Sequence, residues 1–519
     1  MSVANRVIKN TGFLYAKMGI TMFISLYTTR LVLNALGASD FGIFNVVGGA
    51  IAMLGFLHAA MSSATQRFMS FYEGNGDILK QKQIFNVSMA LHFLIALIIG
   101  AILVTAGYVF FNGVLNIPNE RIYAAKVIYA SLIISTLFTV ISVPYEAVLN
   151  AHENMLYYSI VGVIQSLLNL GVALIIVQYA GDKLVLYGML MAGIPLIVLT
   201  AMRVYCHRKY SECVIDPKTY WQNGLMKEMT SFASWNLLGA ASNMLLNYGQ
   251  GIIINNFFGV IANTAQGIAN QITGQLNALT TTMMKAINPV IAKNEGAGNR
   301  DGMVRATILG SKISLLLMLF IFVPIWIEMP FILKLWLKDV PLFATLFCRL
   351  LMINTIIGYS VLPVSSSLSA HGDIKKYKIV TSILNFVPLL AIYILFTSGY
   401  PVYFSYIVLG IHTVATSIVT LVFAKKNYNF PVLIFLRKIV YRPLFVLFMM
   451  LLFSYIPEFF IRNSTARLIC VFMSSTVTFA VCLWTVGFDK EEKTMAIHLF
   501  KSITSKLRLF NPCKKKVYV

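Results

Sequence analysis

Acidic residues are scarce in this chain. Its 519 residues include 19 Asp and Glu against 41 Lys and Arg, and only 12% of the residues are charged at all. A soluble domain is about a quarter charged. With 58% hydrophobic residues and a mean hydropathy of +0.76, the composition excludes a single water-soluble core of this length. The net charge of +22 does not point to nucleic acid either, because the cations sit in short clusters between long apolar runs. The six cysteines, Cys206, Cys213, Cys348, Cys470, Cys482 and Cys513, include no CxxC or metal-ligand spacing. No GxxxxGK[ST] loop is present. The first apolar run, residues 11–33, is followed by no small-residue cleavage site, so it is expected to be retained as a helix. No cofactor is expected.

What the chain has in abundance is long apolar runs. A spanning helix needs about 20 mainly apolar residues. Such runs begin near residues 11, 40, 84, 122, 156, 183, 229, 261, 306, 341, 377, 401, 437 and 465, which predicts an all-α polytopic membrane protein of about fourteen spanning helices. With the N-terminus placed in the cytoplasm, 31 of the 41 cations fall at inside loops and the basic tail. Outside loops hold only Arg121, Lys126, Lys183, Lys334, Lys338, Arg462 and Arg467. This asymmetry predicts a multi-pass protein with both termini cytoplasmic. In the tail, Leu499, Phe500, Ile503, Leu507 and Phe510 recur at helical spacing among cations, followed by Lys514, Lys515 and Lys516. An interfacial amphipathic helix and a plain solvated tail both fit; in the first, anionic lipids would be its partner.

The chain also repeats itself. Gly37 precedes Glu73 by 36 residues, and Gly259 precedes Glu295 by 36. Asn34 and Asn256, Gly74 and Gly296, and Gly76 and Gly298 keep the same offset of 222. Pro144 and His152 are echoed by Pro363 and His371 at an offset of 219. Two copies of a six-helix unit are therefore expected: residues 1–215 (helices 1–6) and 216–427 (helices 7–12). Two extra helices (428–488) and a basic tail (489–519) follow. An even number of helices per unit makes the copies parallel, in pseudo-twofold arrangement. Repeats of this kind place a substrate path at their interface, where rocking gives alternating access.

Polar residues within the helices suggest what lines the path. Helix 7 carries Asn236, Asn243, Asn247 and Gln250 on one face, and helix 8 carries Asn263, Gln266, Asn270 and Asn277. An unpaired amide in hydrocarbon costs several kcal/mol. These faces must look at each other or at a wet cavity; interhelical glue is the plainer role. Lys17, Arg30 and Arg349 lie inside helices, whereas helices 1, 3, 5, 7, 8, 11 and 12 have no mid-membrane carboxylate. An intramembrane cation is a functional candidate, with snorkelling as the alternative. His58, His92 and His412 are also intramembrane, where packing accounts for them more simply than titration. A positive interior suits an anion such as a diphosphate and disfavours organic cations.

The stretch TTRLVLNALGASDFGIFNVVGG from Thr28, followed by ATQRFMSFYEG from Ala64, resembles the start of polysaccharide transporters of the O-antigen flippase type. These belong to the multidrug/oligosaccharidyl-lipid/polysaccharide (MOP, MATE-like) exporter superfamily. The resemblance implies two six-helix lobes with two added helices. It implies a flippase, not an enzyme, that turns a polyprenyl-diphosphate-linked oligosaccharide repeat unit from the cytoplasmic to the outer leaflet for surface polysaccharide assembly. The implied setting is a bacterial cytoplasmic membrane, with other polysaccharide-assembly proteins as partners and H+ or Na+ as a candidate coupling ion. A cationic cavity in such flippases holds the diphosphate and sugar, and Lys17, Arg30 and Arg349 are the positions here that would serve. Asn236, Asn243, Asn247, Gln250, Gln266 and Asn270 would line it. The carboxylate that many drug exporters of the superfamily carry in helix 1 is absent. A cation-coupled drug antiporter of the same fold is the alternative. A membrane-embedded glycosyltransferase would need carboxylates on outer loops, which offer only Asp40, Glu120, Asp182, Glu328, Asp339 and Glu458.

Overall fold

The computed structural model describes residues 3–52, 55–111, 118–337, 339–489 and 492–494. Among these residues there is no β-strand. The amphipathic tail expected after residue 494, with Cys513 in it, lies outside the described residues.

Val3–Ala52 is helical on both sides of a kink at Gly37, whose φ of 76° and ψ of 168° are open to glycine and not to other residues. Residues 3–36 form α1. Residues 38–52, continued by Gly55–Asn75, form α2. The same device recurs in Asn223–Gly296, where Gly259 (φ 73°, ψ −171°) separates α7 (223–258) from α8 (260–296). Gly37 and Gly259 are the repeat partners found in the sequence. So are Gly76 (φ 74°) and Gly298 (φ 69°), which turn the chain after α2 and α8. The two halves thus share their kinks and their turns.

The other spans are α3 (Ile78–Val109), α4 (Ile122–Ala151), α5 (Met155–Gln178), α6 (Lys183–Lys209), α9 (Arg300–Ile327) and α10 (Ala344–His371). Then come α11 (Lys375–Thr397), α12 (Phe404–Tyr428), α13 (Val432–Phe460) and α14 (Ser464–Gly487). Side chains start several of them. Asp77, Asn154, Asp182, Asn299 and Asn463 each accept from the backbone amides of the first turn of α3, α5, α6, α9 and α14. The helix α11 is broken at Asn385–Phe386, between Lys375–Leu384 and Val387–Thr397. Pro388 has no N–H, so the Leu384 carbonyl lacks its helical donor.

Among the described residues, eleven helices are long and apolar enough to span a bilayer. The remaining three of the fourteen among the described residues are α2, α7 and α8. These are the helices that meet across the boundary between the halves, so their polarity follows from facing protein and cavity instead of lipid. One hydrophobic core draws on residues from Leu14 to Ala233, with Ala286 and Ile374 added; a second runs from Leu246 to Cys482. The extra pair α13–α14 packs on α9 and is tied to it by charge at both ends. At one end the Arg467 Nε donates to Glu328 at 2.7 Å, and at the other the Lys312 Nζ donates to Glu492 at 2.5 Å.

Candidate functional site

The face at which α1 begins carries most of the loop cations and is called the basic face below. There the ends of α2 and α8 cross at contact distance. A Cβ on Gly74 would overlap the backbone carbonyl of Lys293, and a Cβ on Gly296 would overlap that of Phe71. Lys293 is itself 222 residues beyond Phe71, so the contact is reciprocal under the repeat. Lipid gives no hydrophobic drive for such a crossing, and close backbone approach at glycine supplies the packing instead.

Charges flank the crossing with the same symmetry. Glu73 lies 3.4 Å from His152, and Glu295 lies 3.0 Å from His371. Each imidazole also faces a tyrosine at the end of its unit: His152 stacks on Tyr210 at 4.2 Å, and His371 lies 5.9 Å from Tyr428. Polar contacts also bridge the halves beside the crossing. The Lys293 Nζ donates to Glu73 at 2.9 Å, and Arg67 donates to the Ala370 carbonyl at 3.1 Å. The Arg67 guanidinium also lies over Phe68 and Phe232, 4.5 and 5.3 Å from their ring centres. The basic face is therefore closed.

Behind the crossing lies a cavity of about 460 Å³ between the halves. Arg67 and Gln66 of α2, Glu146 of α4, Asn236 of α7, Lys285 and Asn288 of α8, and Lys378 of α11 line it, with serines from α2 and α10. Three cations face one carboxylate. Among the described residues, the buried donors at the wall, Gln66 Nε2, Arg67 Nε and Asn236 Nδ2, have no hydrogen-bond partner, and neither does Asn288 Oδ1. Unsatisfied buried donors are rare in proteins. Beside three cations they form a wall suited to a polar anion.

Lys17 belongs to this cluster through Tyr158. Its Nζ lies 4.2 Å from the Tyr158 ring centre, and the Lys285 Nζ donates to the Tyr158 hydroxyl at 3.1 Å. Lys17, Lys285 and Glu146 are close enough to interact electrostatically. The Lys17 stem lies in the space left by Gly162 of α5, where a Cβ would overlap it. In the other half, Lys378 of α11 lies over Gly239 of α7, 3.3 Å from where a Cβ would stand. Gly239 is the repeat partner of Lys17, at the offset of 222. Each half thus holds one lysine between its first and fifth helices. The lysine and the glycine that receives it have exchanged helices.

The other expected site residues are dispersed. Arg30 is exposed and stands apart from the cluster. Arg349, near the opposite face, donates to the carbonyls of Trp326 and Ile327 at 3.0 and 3.1 Å, and lies 5.0 Å from the Trp326 ring centre. Its guanidinium closes the end of α9. The amides divide among three cavities. Asn236 faces the cationic cavity. Asn243 and Asn247 face a cavity inside the second half. Asn247, Gln266 and Asn270 line a space of about 350 Å³ between α7 and α8, where the two amide faces do look at each other. Gln250 is buried and its Nε2 has no partner. Of the histidines, His92 is buried, with Nδ1 2.9 Å from the Ser88 carbonyl oxygen, while His412 lines the cavity of the second half. The side chain of His58 lies outside the described residues.

The 31 cations assigned above to inside loops and the tail include Lys285 and Lys378, and the structure corrects this by placing both within helices. Lys285 lies eleven residues before Gly296, roughly 16 Å inside the end of α8. That spacing from the EGAGN turn was the signal that could have revealed it.

Residues 237–394 match the MatE family model. The chain is similar to a crystal structure of a MATE mutant at 14% identity, covering 82% of this chain and 95% of that one, with a TM-score of 0.71. A multidrug resistance MATE family transporter of the MOP superfamily, in an outward-facing conformation, is similar at 13% identity, with the same coverage and a TM-score of 0.67. The chain has the MATE transporter fold. A MOP superfamily transporter from Pyrococcus furiosus, described as having a binding pocket of reverse polarity that suggests a different function, shares that fold at 15% identity. It covers 82% of this chain and 95% of its own, with a TM-score of 0.69. No curated protein sequence matches the chain.

Proposed function

We propose that this chain is a flippase for a polyprenyl-diphosphate-linked oligosaccharide, moving it from the cytoplasmic to the outer leaflet of a bacterial cytoplasmic membrane during surface polysaccharide assembly. On this reading the basic face is cytoplasmic. The moving bodies are residues 1–215 and 216–427, with 428–488 riding on the second. The observation that carries the proposal is the sign of the interlobe cavity: Arg67, Lys285 and Lys378 line it, with Lys17 behind Tyr158, against the single carboxylate of Glu146. An organic cation would be repelled there, whereas a diphosphate gains from each ammonium in a low-dielectric site. The Pyrococcus transporter of the same fold supports reading pocket polarity as a guide to cargo.

The test is Lys285→Gln in cells that depend on this protein for surface polysaccharide. Export should fall at least tenfold while the amount of folded protein in the membrane stays normal. Undiminished polysaccharide would sink the proposal. One observation favours a second reading, a cation-coupled drug or small-molecule antiporter: Glu146 faces the cavity and could carry a proton. Dye efflux that depends on Glu146 and survives Lys285→Gln would favour the antiporter.

A further inference from the structure

The second half contains its own cavity of about 640 Å³, walled by α7, α8, α10, α11 and α12. Its size falls within the range of small-molecule sites, roughly 300–1,000 Å³. Ser365 and Lys378 line both this cavity and the cationic one, so the two adjoin.

The wall has one chemical character. Among the described residues no carboxylate lines it, and Lys378 is the one ammonium. Most of its serine and threonine hydroxyls spend their protons within their own helices, and Tyr377 donates to Ser365 of α10 at 3.1 Å. Thr416 donates to the His412 carbonyl at 3.0 Å, and Ser417 donates to that of Thr413 at 2.7 Å. The Nδ2 of Asn354 is spent across the wall, donating to the Tyr406 carbonyl of α12 at 3.0 Å. Oxygen lone pairs are left facing the space. His412 Nε2 is buried there without a partner. Asn385, at the break in α11, lines the cavity as well. Broken helices in transporters are tolerated where they line a site. A surface rich in acceptors, poor in donors and free of carboxylate calls for a neutral ligand with many O–H groups.

We infer that this cavity is a carbohydrate site: it takes the uncharged, hydroxyl-bearing part of a cargo whose anionic group occupies the cationic cavity beside it. The inference rests on the flippase reading and adds to it a division of labour. Lys378 stands at the junction, within reach of a phosphate on one side and a sugar hydroxyl on the other.

The test uses the full chain in lipid nanodiscs. Two single variants, Ser417→Cys in this cavity and Asn288→Cys in the cationic one, are labelled with a small charged methanethiosulfonate, with the unsubstituted protein as background. Two probes are compared: a polyprenyl-diphosphate oligosaccharide extracted from cells making surface polysaccharide with this protein, and the sugar-free polyprenyl diphosphate. Both probes should slow labelling of Asn288→Cys, and only the sugar-bearing one should slow Ser417→Cys, by fivefold or more. If Ser417→Cys is unaffected, or equally slowed by the sugar-free lipid, while Asn288→Cys is protected, the carbohydrate site is wrong and the flippase reading stands. If neither probe protects either position, the flippase reading fails and this inference with it.

Discussion

Gly74 and Gly296, at equivalent positions of the two repeats, each lie against a backbone carbonyl of the other repeat at the crossing of α2 and α8. Neither position has room for a Cβ unless the helices part. Gly296→Ala should therefore weaken closure of the basic face. Overpacking of a tight contact costs about 1–3 kcal/mol, and here the strain is relieved by opening. Spin labels on the ends of α2 and α8 should report a longer distance population in Gly296→Ala, and Gly74→Ala should reproduce it. An unchanged distance distribution in both would show that the crossing is not what holds this face shut.

The repeat behind that contact was legible in the sequence because glycine leaves a conformational mark. Gly37 and Gly259 adopt the same left-handed φ, and Gly76 and Gly298 do too. Hydropathy gave the spans for a related reason, since lipid admits only apolar helices. The site was legible in sign but not in membership. Depth in a helix marks Lys17 and Arg349 alike, yet one faces a cavity wall and the other satisfies the carbonyls of α9. Which side of a helix faces a neighbour's last turn is decided here by the packing of α9 and α10 within the second half, and the sequence pattern carries no trace of it. Lys378 was hidden for the opposite reason: it lies close to a loop along the chain, in the first turn of α11, and lines the cavity between the halves.

Arg349 gives a prediction that departs from a direct transport role. Its two hydrogen bonds go to the Trp326 and Ile327 carbonyls, where α9 ends. Arg349→Ala would strip donors from two carbonyls, at a cost of about 1–3 kcal/mol each. The variant should unfold at a lower temperature and accumulate less in the membrane. Export per folded molecule should remain near normal, unlike that of Lys285→Gln. Normal abundance with abolished export would return Arg349 to the transport path.

The clamp between α9 and α14 can be tested by a double-mutant cycle. Glu328 is buried at 1% exposure and receives two hydrogen bonds from Arg467, at 2.7 and 3.0 Å. Removing Arg467 alone leaves a buried carboxylate without its countercharge, a loss on the order of 3 kcal/mol. Removing both charges should cost much less. Thermal unfolding of Arg467→Ala, Glu328→Gln and the double variant should thus give a double mutant more stable than Arg467→Ala. Additive losses would mean that the two charges do not act on each other.

At the other end of α14 the latch is Asp489, held by Arg442 and by Lys438 at 3.1 Å. Burial works to raise its carboxyl, but hydrogen bonds from Arg442 and Lys438 and the charge of Lys312 outweigh it and bring the pKa from 3.8 to about 2. A depressed carboxylate stabilises the docked state above its ordinary pKa and loses that contribution as pH falls through the depressed one. The contribution of Asp489 should therefore be constant from neutrality to about pH 4 and disappear between about 4 and 2. In a Glu492→Gln background, which removes the neighbouring carboxylate, a nitroxide on Thr494→Cys reads the docking. Its mobility should stay low down to about pH 4 and then rise, and adding Asp489→Asn should make it high and flat across the whole range. A rise beginning above pH 5 in the Glu492→Gln background would mean that Asp489 is not the group that holds the end of α14.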